Sequence, residues 1–307
     1  MAIPNFQTIM LPLLKLLGQK KTISAREAPH LLASGFRLSD QEQKQLLPSG
    51  KQEVFWNRVG WARTFLKKAG LLETPRRGIW HITPKGEEAL SQNPEKIDVK
   101  FLEQFPEFRE WQKISTKNNK EEPYAEKVLF SSNVLITPEE ALEATHGNLL
   151  ANLKEDLLQQ VKSCSPFFFE SLVIDLLVSM GYGGNRKDAG QAIGRVRDGG
   201  IDGIIKEDVL GLDVVYIQAK RWEGTVGRPE IQKFSGALQG YKAKKGVFIT
   251  TSDFSPDAIE FVRNIESKIV LIDGQNLVHL MIDHNLGVSV KNTYEVKQID
   301  SDYFEEE

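Results

Sequence analysis

The chain has 307 residues, of which 40% are hydrophobic and 26% are charged. This composition is typical of a soluble globular protein, and the length suffices for two domains. One cysteine, Cys164, excludes an internal disulfide framework, and no uninterrupted apolar run reaches the length of a membrane span. The first residues lack the pattern of a signal peptide, so we expect a cytoplasmic protein without a membrane partner.

Charge is distributed unevenly along the chain, although the net charge is only −3. Residues 1–94 carry 14 Lys and Arg against 7 Asp and Glu, a net charge of +7, whereas residues 95–165 and 166–307 carry −4 and −6. A basic segment joined to an acidic remainder indicates that the first third binds a polyanion. A solvated basic surface would give the same pattern.

The first third predicts helices followed by a β-hairpin. Helices are expected near residues 6–17, 25–33 and 40–46, the last with Ser39 as its N-cap. Two short strands, LLET and IWHIT, flank a turn at residues 75–78, and Thr83-Pro84 opens a final short helix. Between the third helix and the hairpin, the segment VFWNRVGWARTFLKKAG predicts an amphipathic helix. Its apolar face is made of Phe55, Val59, Ala62, Leu66 and Ala69.

Helices followed by a hairpin with a basic tip predict a winged-helix DNA-binding domain over residues 1–94. In that fold the basic helix enters the major groove and the wing tip meets phosphate or the minor groove. Arg76 and Arg77 could instead be solvated charges at a hairpin tip. The candidate DNA ligands are Arg58, Arg63, Lys67, Arg76 and Arg77.

The organisation changes twice after the hairpin. Residues 95–136 lack a hydrophobic period and include the polar run KISTKNNKEEPYAEK, which predicts a linker. Thr137 and Glu140 then form the capping box of a long helix over residues 137–163, which could join the linker to a second domain or serve as a dimer surface. From Ser165 onward strands and helices alternate, so residues 137–307 predict an α/β domain with a mixed, helix-covered sheet.

Two motifs in this second domain carry the candidate chemistry, G-G-I-D-G at residues 199–203 and Y-I-Q-A-K at residues 216–220. Side chains alternate along a strand, so Gln218 and Lys220 share a face, and a hairpin would bring Asp202 beside them. Carboxylate and amide oxygens suit a hard divalent cation, and a nearby lysine can neutralise charge that develops on phosphorus. The set predicts metal-dependent phosphodiester hydrolysis.

Other candidates carry open alternatives. Glu170 lies on the apolar helix after Ser165, where a buried carboxylate needs a metal, a metal-bound water or a cation as partner. An ordinary salt bridge or a partly exposed helix position would also explain it. Arg195 and Arg197, in a glycine-rich loop, could hold a DNA backbone or remain solvated. The strand-end hydroxyls Thr250, Thr251 and Ser252 could contact phosphate or act as turn residues. No G-x-x-x-x-G-K-[ST] motif occurs, so we expect no nucleotide cofactor.

The segment S-P-F-F-F-E-S-L-V, with G-G-I-D-G, Q-A-K-R-W, V-G-R-P-E-I-Q-K-F and G-V-F-I-T-T-S, resembles the Mrr family of modification-dependent (type IV) restriction endonucleases. These belong to the PD-(D/E)xK superfamily. The basic N-terminal region resembles the winged-helix domain of the same family, so the similarity covers almost the whole chain except the linker. The resemblance implies an αβββαβ nuclease core, Mg²⁺ dependence and cleavage of double-stranded DNA that carries methylated bases. We also expect association with the nucleoid and a homodimer or higher homo-oligomer.

Carried over by position, the resemblance implies that Asp202 is the principal metal ligand and Lys220 the catalytic lysine. Gln218 stands where the wider superfamily has Glu or Asp, and it supplies oxygen without charge, which should weaken metal binding. Glu170 would complete the catalytic and metal-binding set. A repair or junction-resolving nuclease with the same core remains open, as does a DNA-binding regulator with a vestigial nuclease domain.

Overall fold

The computed structural model describes residues 2–117, 135–183, 200–207, 213–297 and 299. The chain divides into a first unit over Met1–Asn148 and a second unit over Leu149–Lys297. Within the described ranges, no helix is both long enough and apolar enough to cross a bilayer.

The first unit contains seven complete helices and three strands in its described residues up to 117. They are α1 (Phe6–Lys20), β1 (Thr22–Ser24), α2 (Glu27–Gly35), α3 (Asp40–Gln43), α4 (Val54–Lys68), β2 (Leu72–Arg76), β3 (Ile79–Ile82), α5 (Pro84–Ser91), α6 (Val99–Leu102) and α7 (Pro106–Lys117). Strand β3 lies between β1 and β2 and is antiparallel to both. This order is consistent with the predicted winged helix, with α4 as the recognition helix and the β2–β3 hairpin as the wing.

The amphipathic pattern predicted for α4 is confirmed. Its five apolar positions are all buried, with 1% or less of each residue exposed, and they pack in one core with α1. The capping predictions are also confirmed, because the Ser39 hydroxyl accepts a hydrogen bond from Glu42 N–H and the Thr83 hydroxyl accepts one from Gly86 N–H. Strand β1 was not predicted, since three residues are too few to show an alternating pattern.

The prediction of a linker over residues 95–136 is wrong for its first part. Helices α6 and α7 lie there, and Val99, Leu102 and Phe108 are fully buried in the core of the first unit. The rings of Phe65 and Phe108 lie 5.8 Å apart between centroids. A few apolar residues are enough to fix this polar segment in the fold, because each of them packs into a core that other elements form. Residues 118–134 lie outside the described ranges.

The second unit is the predicted α/β domain with a mixed sheet. Helix α8 (Pro138–Ser163) begins in the first unit, and its predicted capping box is confirmed by hydrogen bonds between Thr137 and Glu140. Then follow α9 (Pro166–Ser179), β4 (Gly203–Lys206), β5 (Val214–Lys220), α10 (Arg228–Gly240), β6 (Lys245–Thr250), α11 (Pro256–Arg263), β7 (Lys268–Ile272) and α12 (Gly274–Asp283). The αβββαβ core implied by the resemblance has three strands between its two helices. The described residues between α9 and α10 contain two strands, β4 and β5. Strand β7 and helix α12 lie beyond this core.

The four-stranded sheet has the order β4-β5-β6-β7, in which β4 is antiparallel to β5 and the other pairs are parallel. Alternation along β5 divides its side chains between two cores. Val215, Ile217 and Ala219 pack with α9 and α12, whereas Tyr216 packs with the cluster that includes α10 and α11. Gln218 and Lys220 share the face of Tyr216. They therefore lie where the carboxyl ends of β5 and β6 meet.

Candidate active site

Asp202 is fixed at the start of β4 by the edge of β5. Its backbone N–H donates to the Ile217 carbonyl at 2.8 Å, and its carboxylate Oδ2 accepts a hydrogen bond from Ala219 N–H at 2.8 Å. The carboxylate thus takes the place that a backbone carbonyl would occupy in a longer ladder. Ala219 lies between Gln218 and Lys220 in sequence, so the hairpin brings the three candidate groups together as predicted.

The backbone just before Asp202 turns sharply at Gly200, whose φ is +85°. A Cβ at this position would lie 3.2 Å from Gln218 Nε2, and an L side chain would be strained at this φ. Glycine therefore lets the segment that carries Asp202 pass close over the Gln218 amide.

Burial raises the pKa of the Asp202 carboxyl, while the hydrogen bond from Ala219 N–H and the positive charge of Lys220 act in the opposite direction. Burial has the largest effect of the three. A half-buried carboxylate with its charged form disfavoured gains most from a cation placed against it. Asp202 Oδ1 has no hydrogen bond within the described part of the chain, so it is the oxygen open to such a cation.

The donor set at this site is one carboxylate and neutral oxygens. Gln218 is only 5% exposed, and its side-chain amide forms no hydrogen bond with another described residue. Within the described ranges, no cluster of three or more His, Cys, Asp or Glu side chains could hold a metal. Asp202 and the Gln218 amide oxygen fit a hard cation that completes its shell with water, as Mg²⁺ does.

Glu170 lies on α9, one helical turn before Ile174. The Ile174 side chain lies over Gly203, the neighbour of Asp202, with its Cδ1 atom 3.1 Å from where a Gly203 Cβ would be. Glu170 is partly buried and takes part in an interaction of its own within the fold. Its position on the helix is compatible with the predicted site, and its role as an active-site acid stays a prediction.

The outer surface of the first unit carries a group of cations on α4 and the wing. Lys67, Arg76 and Arg77 are exposed, and Arg76 and Arg77 lie at the tip of the β2–β3 hairpin. Burial, followed by the neighbouring positive charges of Arg63 and Lys68, lowers the pKa of Lys67. Crowded cations of this kind favour the approach of a polyanion.

Arg58 is the candidate DNA ligand that the structure corrects. Its guanidinium forms a two-point ion pair with Glu140, with Nη2 2.6 Å from Oε1, and Nη1 donates to the Ile3 and Pro4 carbonyls at 2.6 and 3.2 Å. Only 15% of the Arg58 side chain is exposed. Its donors are thus used inside the first unit, because the acidic start of α8 provides a partner 82 residues away.

The side chain of Arg63, on α4, contacts both strands of the wing. Its Nη2 donates to Thr74 Oγ1 at 3.0 Å, and its guanidinium carbon lies 5.9 Å from the centroid of the Trp80 ring. Burial lowers the pKa of Arg63, and its buried Nε has no hydrogen-bond partner within the described residues. Arg63 therefore braces the wing against α4. Arg195 and Arg197 lie outside the described residues.

Comparison with known proteins finds a matching family model within each of the two units. A family model described as "Restriction endonuclease" (Mrr_cat) matches residues 161–281, and one described as "Mrr N-terminal domain" matches residues 6–92. The "Type IV methyl-directed restriction enzyme EcoKMrr" of Escherichia coli (strain K12) is 38% identical over 312 residues, which cover 99% of this chain and 100% of that protein. The chain belongs to the Mrr family.

Two solved structures are similar to part of this chain. The "DNA modification-dependent restriction endonuclease AspBHI" is 21% identical, with a TM-score of 0.34, over 44% of this chain and 36% of its own. The "MspJI Restriction Endonuclease in Complex with 27-mer Oligonucleotide" is 22% identical, with a TM-score of 0.33, over 45% of this chain and 32% of its own. The family models and the full-length relative carry the assignment, and this Mrr-family chain is a DNA endonuclease.

Sequence reasoning left open whether the hydroxyl residues at the end of β6 contact phosphate or act as turn residues, and it missed their contacts with the segment after β5. Thr250, Thr251 and Ser252 are buried and hydrogen-bonded to the segment that follows β5. Trp222 in that segment lies beside Lys220. The sequence signal was the juxtaposition of T-T-S at a strand end with Q-A-K-R-W on a neighbouring strand. The parallel pairing of β5 with β6 turns that juxtaposition into contacts.

The exposed cations give a first prediction. Lys67→Ala and Arg76→Ala should each weaken binding of duplex DNA and reduce the slope of log affinity against log salt by about 1, because each removes a phosphate contact. Fluorescence anisotropy across a salt series measures both quantities. Lys15→Ala, which removes an exposed cation from α1, is the charge-matched control. Equal losses in all three variants would contradict a specific surface on α4 and the wing.

Proposed function

We propose that this chain is a Mg²⁺-dependent endonuclease that hydrolyses phosphodiester bonds in methylated double-stranded DNA, as a defence against foreign or modified DNA. The observation that carries the proposal is the fixed Asp202 carboxylate, hydrogen-bonded to Ala219 N–H between Gln218 and Lys220. Support for methylated DNA as the substrate comes from the full-length relative, whose name describes it as methyl-directed.

In this proposal Asp202 and Gln218 hold the cation and Lys220 acts on the scissile phosphate. When bound, the cation supplies Lewis-acid polarisation of the phosphate and activation of water. The Lys220 ammonium offsets negative charge that builds up on phosphorus in the transition state. Burial disfavours the charged form of Asp202, so a cation bound against the carboxylate would stabilise that form.

The first unit would select the substrate. A helix in the major groove can sense an added methyl group by apolar contact, as it senses the methyl group of thymine. Lys67 and the wing-tip cations would hold the phosphate backbone and set the register of α4. Arg58 is left out of this assignment, since its donors already bind Glu140, Ile3 and Pro4.

We further propose that the active enzyme is a homodimer or higher homo-oligomer. The described residues of one chain contain one Asp202–Gln218–Lys220 group. Cleavage of both DNA strands at one place is most direct when two such groups act together. Sedimentation of the enzyme with and without DNA measures the assembly.

The test of substrate and cofactor is a plasmid cleavage assay. Plasmids from methylating and non-methylating hosts are incubated with the enzyme in Mg²⁺, in Ca²⁺ or in EDTA. We expect cleavage only of the methylated plasmid and only with Mg²⁺. Equal cleavage of the two plasmids would refute dependence on methylation and favour a repair nuclease, and cleavage in EDTA would refute dependence on a metal.

A further inference from the structure

Three hydroxyl side chains at the end of β6 hold the exposed segment that leaves β5. They donate hydrogen bonds to alternate carbonyls of residues 220–224: Thr250 to Lys220 (2.9 Å), Thr251 to Trp222 (2.8 Å) and Ser252 to Gly224 (2.7 Å). The three residues are at most 8% exposed. The parallel pairing of β5 and β6 is thus continued by side chains after the backbone ladder ends at Lys220 and Thr250.

The hydroxyl donors are therefore used in the fold and are not directed at a phosphate. Residues 222–225 are exposed on their outer side, yet their inner carbonyls at 222 and 224 are bonded to buried groups. A buried hydroxyl left without its partner is costly, so these bonds resist displacement of the segment. The segment that begins at Lys220 is consequently rigid although it lies at the surface.

The ring of Trp222 lies against the ammonium of Lys220. Lys220 Nζ is 5.6 Å from the ring centroid, within the range of a cation–π attraction. Trp222 is 37% exposed, so one part of the ring faces solvent while another part contacts the cation. Its carbonyl is the one held by Thr251. The buried hydroxyl fixes the backbone of Trp222, and the indole ring in turn limits where the ammonium can be.

We propose that Thr251 and Trp222 are positioning residues for Lys220, an inference that rests on the proposed catalytic role of that lysine. A lysine side chain is a flexible four-carbon stem, so its ammonium needs an external restraint to remain at the scissile phosphate. Thr251 holds the backbone of Trp222, and the ring of Trp222 restrains the Lys220 ammonium. Displacement of a catalytic group by about 1 Å lowers the rate without a matching loss of substrate binding.

The test uses the full-length enzyme and pairs of matched variants. Thr251→Val keeps the shape but removes the hydroxyl, and Thr251→Ser restores it. Trp222→Leu removes the ring, and Trp222→Phe keeps a smaller one. We expect Thr251→Val and Trp222→Leu to lower the single-turnover cleavage rate about 10- to 100-fold. Thr251→Ser and Trp222→Phe should remain close to wild type, and the affinity of all four for DNA should be unchanged.

A second measurement does not depend on cleavage. The protein has five tryptophans, and in protein labelled with 5-fluorotryptophan the ¹⁹F resonance of Trp222 is identified by its absence in Trp222→Phe. We expect Lys220→Met and Thr251→Val to shift this resonance. Lys233→Met, which removes an exposed lysine from α10, should leave it in place.

The outcomes separate the two proposals. Wild-type cleavage by Lys220→Met would overturn the proposed function and this inference with it. Loss of cleavage in Lys220→Met, together with wild-type rates in Thr251→Val and Trp222→Leu, would overturn only the positioning role. An unchanged Trp222 resonance in Lys220→Met would likewise overturn only the positioning role. If Thr251→Val fails to fold, Trp222→Leu and the resonance shift still decide, because Trp222 is partly exposed.

Discussion

Asp202→Asn should reduce DNA cleavage by more than about a thousandfold while leaving DNA affinity intact. Asparagine keeps an oxygen that can accept the Ala219 N–H bond, so the start of β4 is preserved. It removes the negative charge on which the cation depends. Single-turnover cleavage and anisotropy with the same DNA measure the two properties. Asp156→Asn, which neutralises an exposed aspartate on α8, is the control and should cut normally.

The same variant also tests the electrostatics of the site through stability. Folding raises the pKa of Asp202 because of burial, so the folded state favours the protonated carboxyl. The stability linked to this group is present below the unfolded pKa of about 4 and is lost as pH rises through the folded value. At neutral pH without metal, Asp202 therefore destabilises the fold. We expect Asp202→Asn to raise the Tm in EDTA at pH 7 but not at pH 3.

Mg²⁺ should then affect the Tm of only one of the two proteins. It should raise the Tm of the wild type, because a ligand that binds only the folded state stabilises it, and leave that of Asp202→Asn unchanged. Active Asp202→Asn, or equal stabilisation of both proteins by Mg²⁺, would exclude Asp202 as the principal metal ligand.

Gln218→Leu should abolish cleavage and the Mg²⁺-dependent rise in Tm together. Leucine is similar in size but offers no oxygen, and at 5% exposure the site has no room for a compensating shift. Gln218→Glu should lower the Mg²⁺ concentration for half-maximal cleavage, since a second carboxylate strengthens the site. Without metal it should be less stable than the wild type, because two like charges would be close together and partly buried.

A Mg²⁺ titration of cleavage by the wild type, Gln218→Leu and Gln218→Glu on one DNA substrate separates the possibilities. The rate of Gln218→Glu at saturating Mg²⁺ also reports whether the added charge repels the phosphate. A wild-type metal requirement and rate in Gln218→Leu would make Gln218 a packed strand residue with no part in metal binding.

Local patterns in the sequence were sufficient where structure depends on near neighbours. The spacing of apolar residues along α4, the caps at Ser39 and Thr137, and the alternation of β5 all follow from contacts within a few residues. The approach of Asp202 to Gln218 and Lys220 was predictable for the same reason, because a hairpin between adjacent strands allows few registers.

Long-range partners were beyond this kind of reasoning. The basic residues off the apolar face of α4 have the same sequence signal whether they bind DNA or an acid elsewhere in the fold, so Arg58 was assigned to DNA although Glu140 holds it. Phe108 looked isolated in a polar segment, yet it fills the core beside Phe65. Strand-end hydroxyls are equally ambiguous until the pairing of β5 with β6 supplies their acceptors.

The contact of α4 with the start of α8 has a consequence for how Mrr-family chains can be recombined. A chimera joined at residue 94 would inherit Arg58 without Glu140 and Phe65 without Phe108, leaving an uncompensated guanidinium and a vacancy among the rings. Thr137, which is fully buried and bonded to Asn57, would be lost as well. The first unit therefore extends to about Asn148, and a chimera that exchanges this unit between relatives should place the crossover inside α8.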